Sequence, residues 1–497
     1  MKNNDYPILT AEEAALKIKD GQTVAFSGFS PAGAAKAVPS ALAKRARALH
    51  QEGQPFKIRV LTGASSGIAV DKELAEADAV SWRAPYQGSP EARSMINHQD
   101  VEYMDMHLSM FPQAVDAGFF GEIDVAVIEA TEITSDGRVY LSTSIGASPT
   151  FLKCAKKVII EINEYHSKRL REMADIAIMP PPPRRSPIAV FEPMNKIGWP
   201  YATVDPKKII GIVKTNQPDE VKEFADSTKI SQQIADHVVE FLVKELRLKS
   251  HSQRLYPFQT GVGNVGNAVI KKMGENPAIP PFYMYTEVFQ DAMVDLMLQK
   301  QILGASSCAL TVSSKKLEEI TRNMDFFGSH IILRPQEYSN HPGLIRRLGV
   351  IAMNTAIEVD IYGNANSSHV YGTDIVNGIG GSGEFTRNAY LSILMTPSTA
   401  KQDKISSIVP MCPHIDNNEH SVQVIVTEQG LADLRGLGPM QRAKLMIENC
   451  AHPKYRPYLT QYITDSKTGH KGHIRHDLER CFEMHLNLMR YGEMLPK

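Results

Sequence analysis

The sequence predicts an α/β protein built from two similar open α/β domains in tandem, over residues 1–222 and 223–497. Three observations carry that prediction. Short apolar runs rich in Val and Ile end on glycine or small polar residues and pass straight into helical patterns, which is the grammar of parallel sheets. The same grammar recurs in both halves of the chain. At 497 residues the chain also exceeds one ordinary core, because single cores stop growing near about 250–300 residues.

Thr10-Ala-Glu-Glu13 is a capping-box pattern ahead of Ala14, Ala15, Leu16 and Ile18, so a first helix is expected there, ending at Gly21. TVAFSG (23–28) reads as a buried strand that runs through Gly28-Phe-Ser-Pro-Ala-Gly33 into the helical AKAVPSALAKRARALH. KIRVLTG (57–63), Ala-Ser-Ser-Gly67 and a second helical stretch repeat the pattern. IDVAVIEA (123–130), KKVIIEIN (156–163) and DPKKIIGIVKT (205–215) give further strands, and Thr134–Arg138 a turn. MPPPPRRSP (179–187) is expected to be an extended loop, in which Arg184 and Arg185 are either solvated or phosphate-facing. The polar tract 215–229 is the expected domain boundary, and apolar residues at 230, 234, 238, 241, 242 and 246 place a one-sided helix after it. The second half continues with LYPFQTGVGNVGNAV, HIILRPQ, LGVIAMNTAIEVDIYG, a glycine run Asn377–Gly383, KISSIVPM and SVQVIVTEQG. VAVIEATE and VIVTEQGL echo each other, each ending an apolar strand on a glutamate, Glu129 and Glu428.

Composition removes several classes of function. Lys+Arg number 54 against 55 Asp+Glu, without the basic excess of a nucleic-acid binder. No apolar run reaches the ~20 residues that span a bilayer, and MKNNDYPILTAEEAALKIKDG lacks a signal-peptide core. A cytoplasmic protein is expected, with neither nucleic acid nor membrane as a partner. The five cysteines form no C-x-x-C pair, which argues against a disulfide framework.

The chemistry concentrates in residues 255–291. Gly261-Val262-Gly263-Asn264-Val265-Gly266 opens a helical pattern, and the apolar run PPFYMYT then ends on Glu287. One reading is a dinucleotide fingerprint with Glu287 on a ribose hydroxyl, hence an oxidoreductase. In the other, Glu287 is a nucleophile and the loops offer N–H groups to an oxyanion. A third, bland reading places Glu287 in the first turn of the following helix, where it complements the dipole. Pro257 and Gln259 make LYPFQT a poor first strand for the dinucleotide fold. The glycines of Asn377–Gly383 free that backbone to approach a ligand. Lys401 and Asn340 are polar loop residues. Cys412, His414 and His420, and His470, His473, His476 and Cys481, offer ligand atoms without a recognised metal spacing, so no metal site is expected. Neither G-x-S-x-G nor a Walker A sequence occurs.

Taken together, SGFSPAG (27–33), LTGASSG (61–67), SWRAPYQ (81–87), GFFGEIDVAVIEA (118–130), GVGNVGNAV (261–269), YTEVFQD (285–291), MNTAIEVDIYGNANS (353–367), NGIGGSGEF (377–385) and VTEQGLADLRGL (426–437) resemble the acetyl-CoA hydrolase/transferase family of CoA-transferases. The likeness runs over essentially the whole chain. It implies two CoA-transferase-type α/β domains with the active site between them, and CoA passed between short acyl groups such as succinyl-CoA/acetate or propionyl-CoA/succinate. It implies Glu287 as the nucleophile and passage through a glutamyl-CoA thioester, with acyl-CoA hydrolysis as the alternative outcome. Asn340 and the Gly381 backbone match the oxyanion donors, and Glu428 a second carboxylate. Gly261–Gly266, Asn377, Gly381 and Lys401 match the coenzyme site. Coenzyme A is then a substrate, no cofactor is required, and a homodimer is expected. Members acting on succinyl-CoA and acetate carry arginines after the strand ending in Thr-Asn, whereas this chain reads Thr215-Asn-Gln-Pro-Asp-Glu220. An acceptor-binding arginine is therefore not carried over. The chemistry further leads one to expect N–H donors or positive charge beside Glu287, to keep it ionised at neutral pH.

Overall fold

A computed structural model describes residues 6–183, 185–221, 227–248, 256–469 and 472–496. The chain divides into two compact units, Met1–Glu223 with Tyr283–Leu348, and Phe224–Phe282 with Gly349–Lys497. The expected boundary at 222/223 lies outside the described residues. Segment Tyr283–Leu348, which carries Glu287, belongs with the first unit rather than with the second half of the sequence.

In the first unit, seven strands run parallel in the order Glu102–Tyr103, Val80–Ala84, Ile58–Leu61, Thr23–Phe26, Val125–Ile133, Lys157–Asn163 and Ile209–Thr215. Arg138–Leu141 and Ala202–Thr203 extend the sheet antiparallel from the end of Val125–Ile133. The central strands are buried throughout because both faces are covered, which is why they read as unbroken apolar runs rather than alternating ones. Thr10 and Glu13 close the expected capping box reciprocally, but the helix covers only Ala11–Ala15. The chain then turns and reaches left-handed Gly21. Val24, Phe26, Val38, Leu42, Ile58, Val60, Val125 and Val127 form one continuous core.

Three further strands of this unit lie side by side in the order Ile331–Leu333, Ile302–Ser307 and Phe282–Tyr285. Two more, Val288–Phe289 and Ala309–Leu310, pair parallel. In the second unit, Phe258–Thr260, Ile351–Thr355, Leu391–Met395 and Val424–Thr427 run parallel, and Gly430–Asp433 returns antiparallel. Val359, Ile408, Ile425, Met446 and Tyr462 belong to its core. Both units thus carry the parallel grammar. The helix after the boundary spans Lys229–Leu248. Arg184 and His470 are not among the described residues. No described helix is long and apolar enough to cross a membrane.

Candidate active site

Glu287 stands in the two-residue break between strands Phe282–Tyr285 and Val288–Phe289. It is therefore outside the first turn of the next helix, Asp291–Leu298, where Asp291 supplies the dipole-complementing carboxylate instead. Its backbone is held from one side: Cys308 N–H (3.0 Å) and Ser307 Oγ (2.8 Å) both donate to the Glu287 carbonyl. Arg334 N–H in turn bonds the Ser307 carbonyl at 2.7 Å, and its guanidinium makes a buried ion pair with Asp175.

Asn340 meets the Glu287 side chain. Its Nδ2 donates to Glu287 Oε2 at 2.6 Å. Asn340 is fully buried, ends the short helix Gln336–Ser339, and has its Oδ1 2.7 Å from the Ser339 hydroxyl. A donor on that oxygen leaves the amide only one sensible orientation, with the NH₂ toward the carboxylate. Tyr285 Oη donates to the Tyr338 carbonyl at 2.6 Å, so the residues two before Glu287 and two before Asn340 are tied together.

Glu287 keeps some solvent access yet is enclosed by protein on most sides. That burial pushes its pKa up to about 7, with the Asn340 hydrogen bond pulling the other way. Of the two aids expected beside Glu287, N–H donors or positive charge, the structure supplies an N–H donor, Asn340, and burial still outweighs it. One donor is present, no cation among the described residues offsets the burial, and the group sits near half-ionisation at neutral pH.

Two of the sequence motifs converge beside it. Phe29 and Ala32 of SGFSPAG and Ala64 of LTGASSG pack with Leu108, Val288, Cys308 and Ala309 in one apolar cluster. Gly33 adopts φ +62°, and a Cβ there would lie 2.6 Å from Ser144 Oγ, so only glycine lets this loop close.

The remaining candidates lie in the second unit. Gly261 follows strand Phe258–Thr260, and Asn264 begins the helix Asn264–Glu275. The strand that proline and glutamine disfavour does form: Gln259 and Asn354, on adjacent parallel strands, exchange side-chain hydrogen bonds at 2.9 and 3.0 Å. A buried polar pair satisfied in this way replaces the missing apolar contact. Val262 is exposed, and Gly263 has φ +131° with open space around it. Gly266 is the opposite case, since a Cβ would meet the Gly261 carbonyl oxygen at 2.6 Å and Thr260 Oγ1 at 2.7 Å. Gly266→Ala is expected to destabilise the protein by about 1–3 kcal/mol by overpacking. An unchanged denaturant midpoint would contradict that expectation.

Asn377 and Gly378 precede the turn at Gly380 and Gly381, and the helix Ser382–Asn388 follows. Lys401 is exposed in the turn joining Thr399–Ala400 to Ile405–Ser406, where Lys401, Gln402 and Asp403 take φ +48°, +56° and +61°. Its Nζ lies 3.3 Å from Tyr371 Oη. Glu428 accepts from Ser398 N–H at 2.8 Å, from the Ser398 hydroxyl and from Gln429 Nε2 at 3.0 Å. Burial acts to raise its pKa, but these donors more than offset it, and the carboxyl lies below the usual glutamate range. Glu428 with Ser398, and Lys401 with Tyr371, thus form two separate polar pairs. The two named carboxylates are tuned in opposite directions, one held ionised and one poised near neutrality.

The proposed ligand types elsewhere have other duties. Cys412 Sγ bonds the Asn364 carbonyl at 3.3 Å, His414 pairs with Asp416 at 3.1 Å, and His476 Nδ1 meets Tyr462 Oη at 3.0 Å. Sequence reasoning missed Ser339 and the Gln259–Asn354 pair. The second has a signal in the sequence, a glutamine inside an otherwise strand-like run.

The first unit thus combines a parallel α/β sheet with a glutamate that stands between two strands and accepts a hydrogen bond from a buried amide. Comparison with known proteins gives the class. The acetyl-CoA hydrolase/transferase N-terminal domain matches residues 2–214, and the corresponding C-terminal domain residues 317–463. The chain is 54% identical to a propanoyl-CoA:succinate CoA transferase of Escherichia coli, over 98% of both chains. It is 44% identical to a succinyl-CoA:acetate CoA-transferase of Clostridium kluyveri, over 98% of this chain and 90% of that one. Among solved structures, a 4-hydroxybutyrate CoA-transferase of Porphyromonas gingivalis shares the fold, with TM-score 0.61 and 20% identity over 92% of this chain and 97% of that one. The chain belongs to the acetyl-CoA hydrolase/transferase family, and it is an enzyme of the CoA-transferase class.

Proposed function

We propose that the protein moves coenzyme A between propanoyl-CoA and succinate through a covalent glutamyl-CoA thioester on Glu287. The observation that carries this reading is the buried Asn340 amide, 2.6 Å from a carboxylate whose pKa is about 7. The Glu287 carboxylate attacks the thioester carbonyl and CoA leaves as thiolate, giving a mixed anhydride. The thiolate then attacks the glutamyl carbonyl and releases the free acid, which leaves Glu287 as a thioester. Succinate attacks that thioester and the sequence runs backwards. Negative charge develops on a carbonyl oxygen at each step. Asn340 is the donor placed to meet it at Glu287. The acyl pair is taken from the 54% identical relative, whose name gives that pair. Exposed Lys401 and the Gly261–Gly266 backbone are the groups assigned to the coenzyme, and no cofactor beyond it is required.

Incubation with propanoyl-CoA and no acceptor should leave a CoA adduct on Glu287, read by intact-mass and peptide mass spectrometry. Because only the carboxylate attacks, the adduct rate should rise as pH rises through about 7. Absence of any adduct, or one on another residue, would sink the reading. The solvent access of Glu287 favours a second outcome on the same scaffold, acyl-CoA hydrolysis, in which water takes the glutamyl thioester. Thiol release independent of added succinate would select hydrolysis.

A further inference from the structure

The first unit's sheet reverses its winding between Thr23–Phe26 and Val125–Ile133: successive strands are added on one side up to residue 103, then on the other up to Thr215. Open α/β sheets bind ligands at the carboxyl ends of such a reversal. In this protein the chain's own charges fill that place.

Lys36, Glu129, His166 and Asp219 are all buried. Lys36 Nζ stands 2.5 Å from Glu129 Oε2 and 3.0 Å from Asp219 Oδ1. His166 Nε2 stands 3.4 Å from Glu129 Oε1 and 3.4 Å from Asp219 Oδ1. Glu129, His166 and Asp219 have the spacing of a metal-binding trio. The Lys36 ammonium already bonds both carboxylates and takes the cation's place. Two carboxylates and one ammonium leave a buried negative charge, which an imidazolium at His166 neutralises. Burial works to lower the His166 pKa, but Asp219 and Glu129 hold it at about 9. Glu161 packs next to the group, and its oxygens are taken by the backbone N–H groups of Lys36, Ala37 and Val38. The Tyr165 ring lies edge-on to His166.

This cluster reaches Glu287 by a short route. The Thr143 hydroxyl donates to Asp219 Oδ2. The Thr143 carbonyl accepts from Leu310 N–H at 2.8 Å, and Ile145 N–H donates to the Cys308 carbonyl at 2.9 Å. On its other edge, Ala309–Leu310 pairs with Val288–Phe289, and Cys308 N–H holds the Glu287 carbonyl. Three backbone strips therefore lie in sequence, from residues 143–145 through 308–310 to 287–289.

We propose that His166 is a positioning residue for CoA transfer: with Lys36 it neutralises the buried pair Glu129 and Asp219, and through Thr143 that pair sets the strip carrying Glu287. The proposal rests on Glu287 being the nucleophile. His166→Gln and Thr143→Val, made in the full chain, test it, with folding checked by circular dichroism. Both variants are expected to form the Glu287 adduct about tenfold more slowly, with KM for propanoyl-CoA unchanged. The double variant should be no slower than the slower single one, since both act along one route. The wild-type rate should fall as pH rises through about 9, where the imidazolium is lost, and His166→Gln should lack that limb. A folded Thr143→Val enzyme forming the adduct at the wild-type rate would overturn the positioning role, even if His166→Gln fails to fold. A loss confined to KM would overturn it as well. A wild-type enzyme forming no adduct would instead overturn the nucleophile reading on which the role depends.

Discussion

Glu287→Ala is expected to lower kcat for CoA transfer by about 10⁴-fold or more, the scale seen when a covalent nucleophile is removed. The fold should not suffer. Burial makes the ionised form of Glu287 unfavourable and pushes its pKa from 4.5 up to about 7, so the native state carries a penalty that grows as pH rises from about 4.5 and is complete above about 7. Removing the carboxylate removes that penalty, and the melting temperature should be unchanged or higher, as when a strained functional group is relieved. Glu287→Gln sharpens the test. The amide keeps the shape and a hydrogen-bond partner for Asn340, but cannot attack a thioester. Both variants should show no CoA adduct by mass spectrometry and keep their far-ultraviolet circular dichroism. Near-normal turnover by either one would end the covalent reading.

The strands at residues 23–26, 58–61, 125–133, 157–163 and 209–215 were legible because a strand covered on both faces must be apolar at every position. The position of Glu287 was legible for a related reason, since a charged group directly after an apolar run marks a strand end. What periodicity cannot express is which distant segment packs where. Segment Tyr283–Leu348 reads as a continuation of the second half, yet it groups with the first 223 residues through pairings such as Ile145 with Cys308 and Asp175 with Arg334. These depend on three-dimensional neighbours that local pattern does not encode.

The buried charges were harder still. Glu129 stood out only as an echo of Glu428, and the structure separates the two. Glu428 is held by donors from Ser398 and Gln429, whereas Glu129 is locked to Lys36, Ser142, Asn163 and His166. Lys36 lies within a stretch that reads as a helix and His166 just beyond the strand 156–163, and a lysine or histidine in such places is ordinarily solvated. The Thr215–Glu220 tract lacks the arginines its resemblance leads one to seek, and Asn216, Gln217, Pro218 and Glu220 are exposed while Asp219 alone beyond the strand turns inward. Asp219 joins the quartet, and Glu220 accepts the Ile68 N–H at 2.5 Å.

Asn340→Ala is the second large effect expected, a loss of about 10²–10³ in kcat, the usual cost of removing one oxyanion donor. Two consequences of the deletion can be separated. Among the described residues the amide is the only group that offsets burial of Glu287, so its loss should raise the Glu287 pKa further and shift the acid limb of the rate profile to higher pH. That part of the loss is recovered by raising the pH. The remainder, the missing donor to the tetrahedral oxygen, persists on the plateau. Asn340→Asp should be worse near neutrality, since a second carboxylate beside Glu287 disfavours ionisation of both. Ser339→Ala should fall between wild type and Asn340→Ala, because it only frees the amide to turn away. If Asn340→Ala kept a rate within a few-fold of wild type with an unmoved acid limb, the 2.6 Å contact would be structural, and the oxyanion donor would have to be sought among the backbone N–H groups.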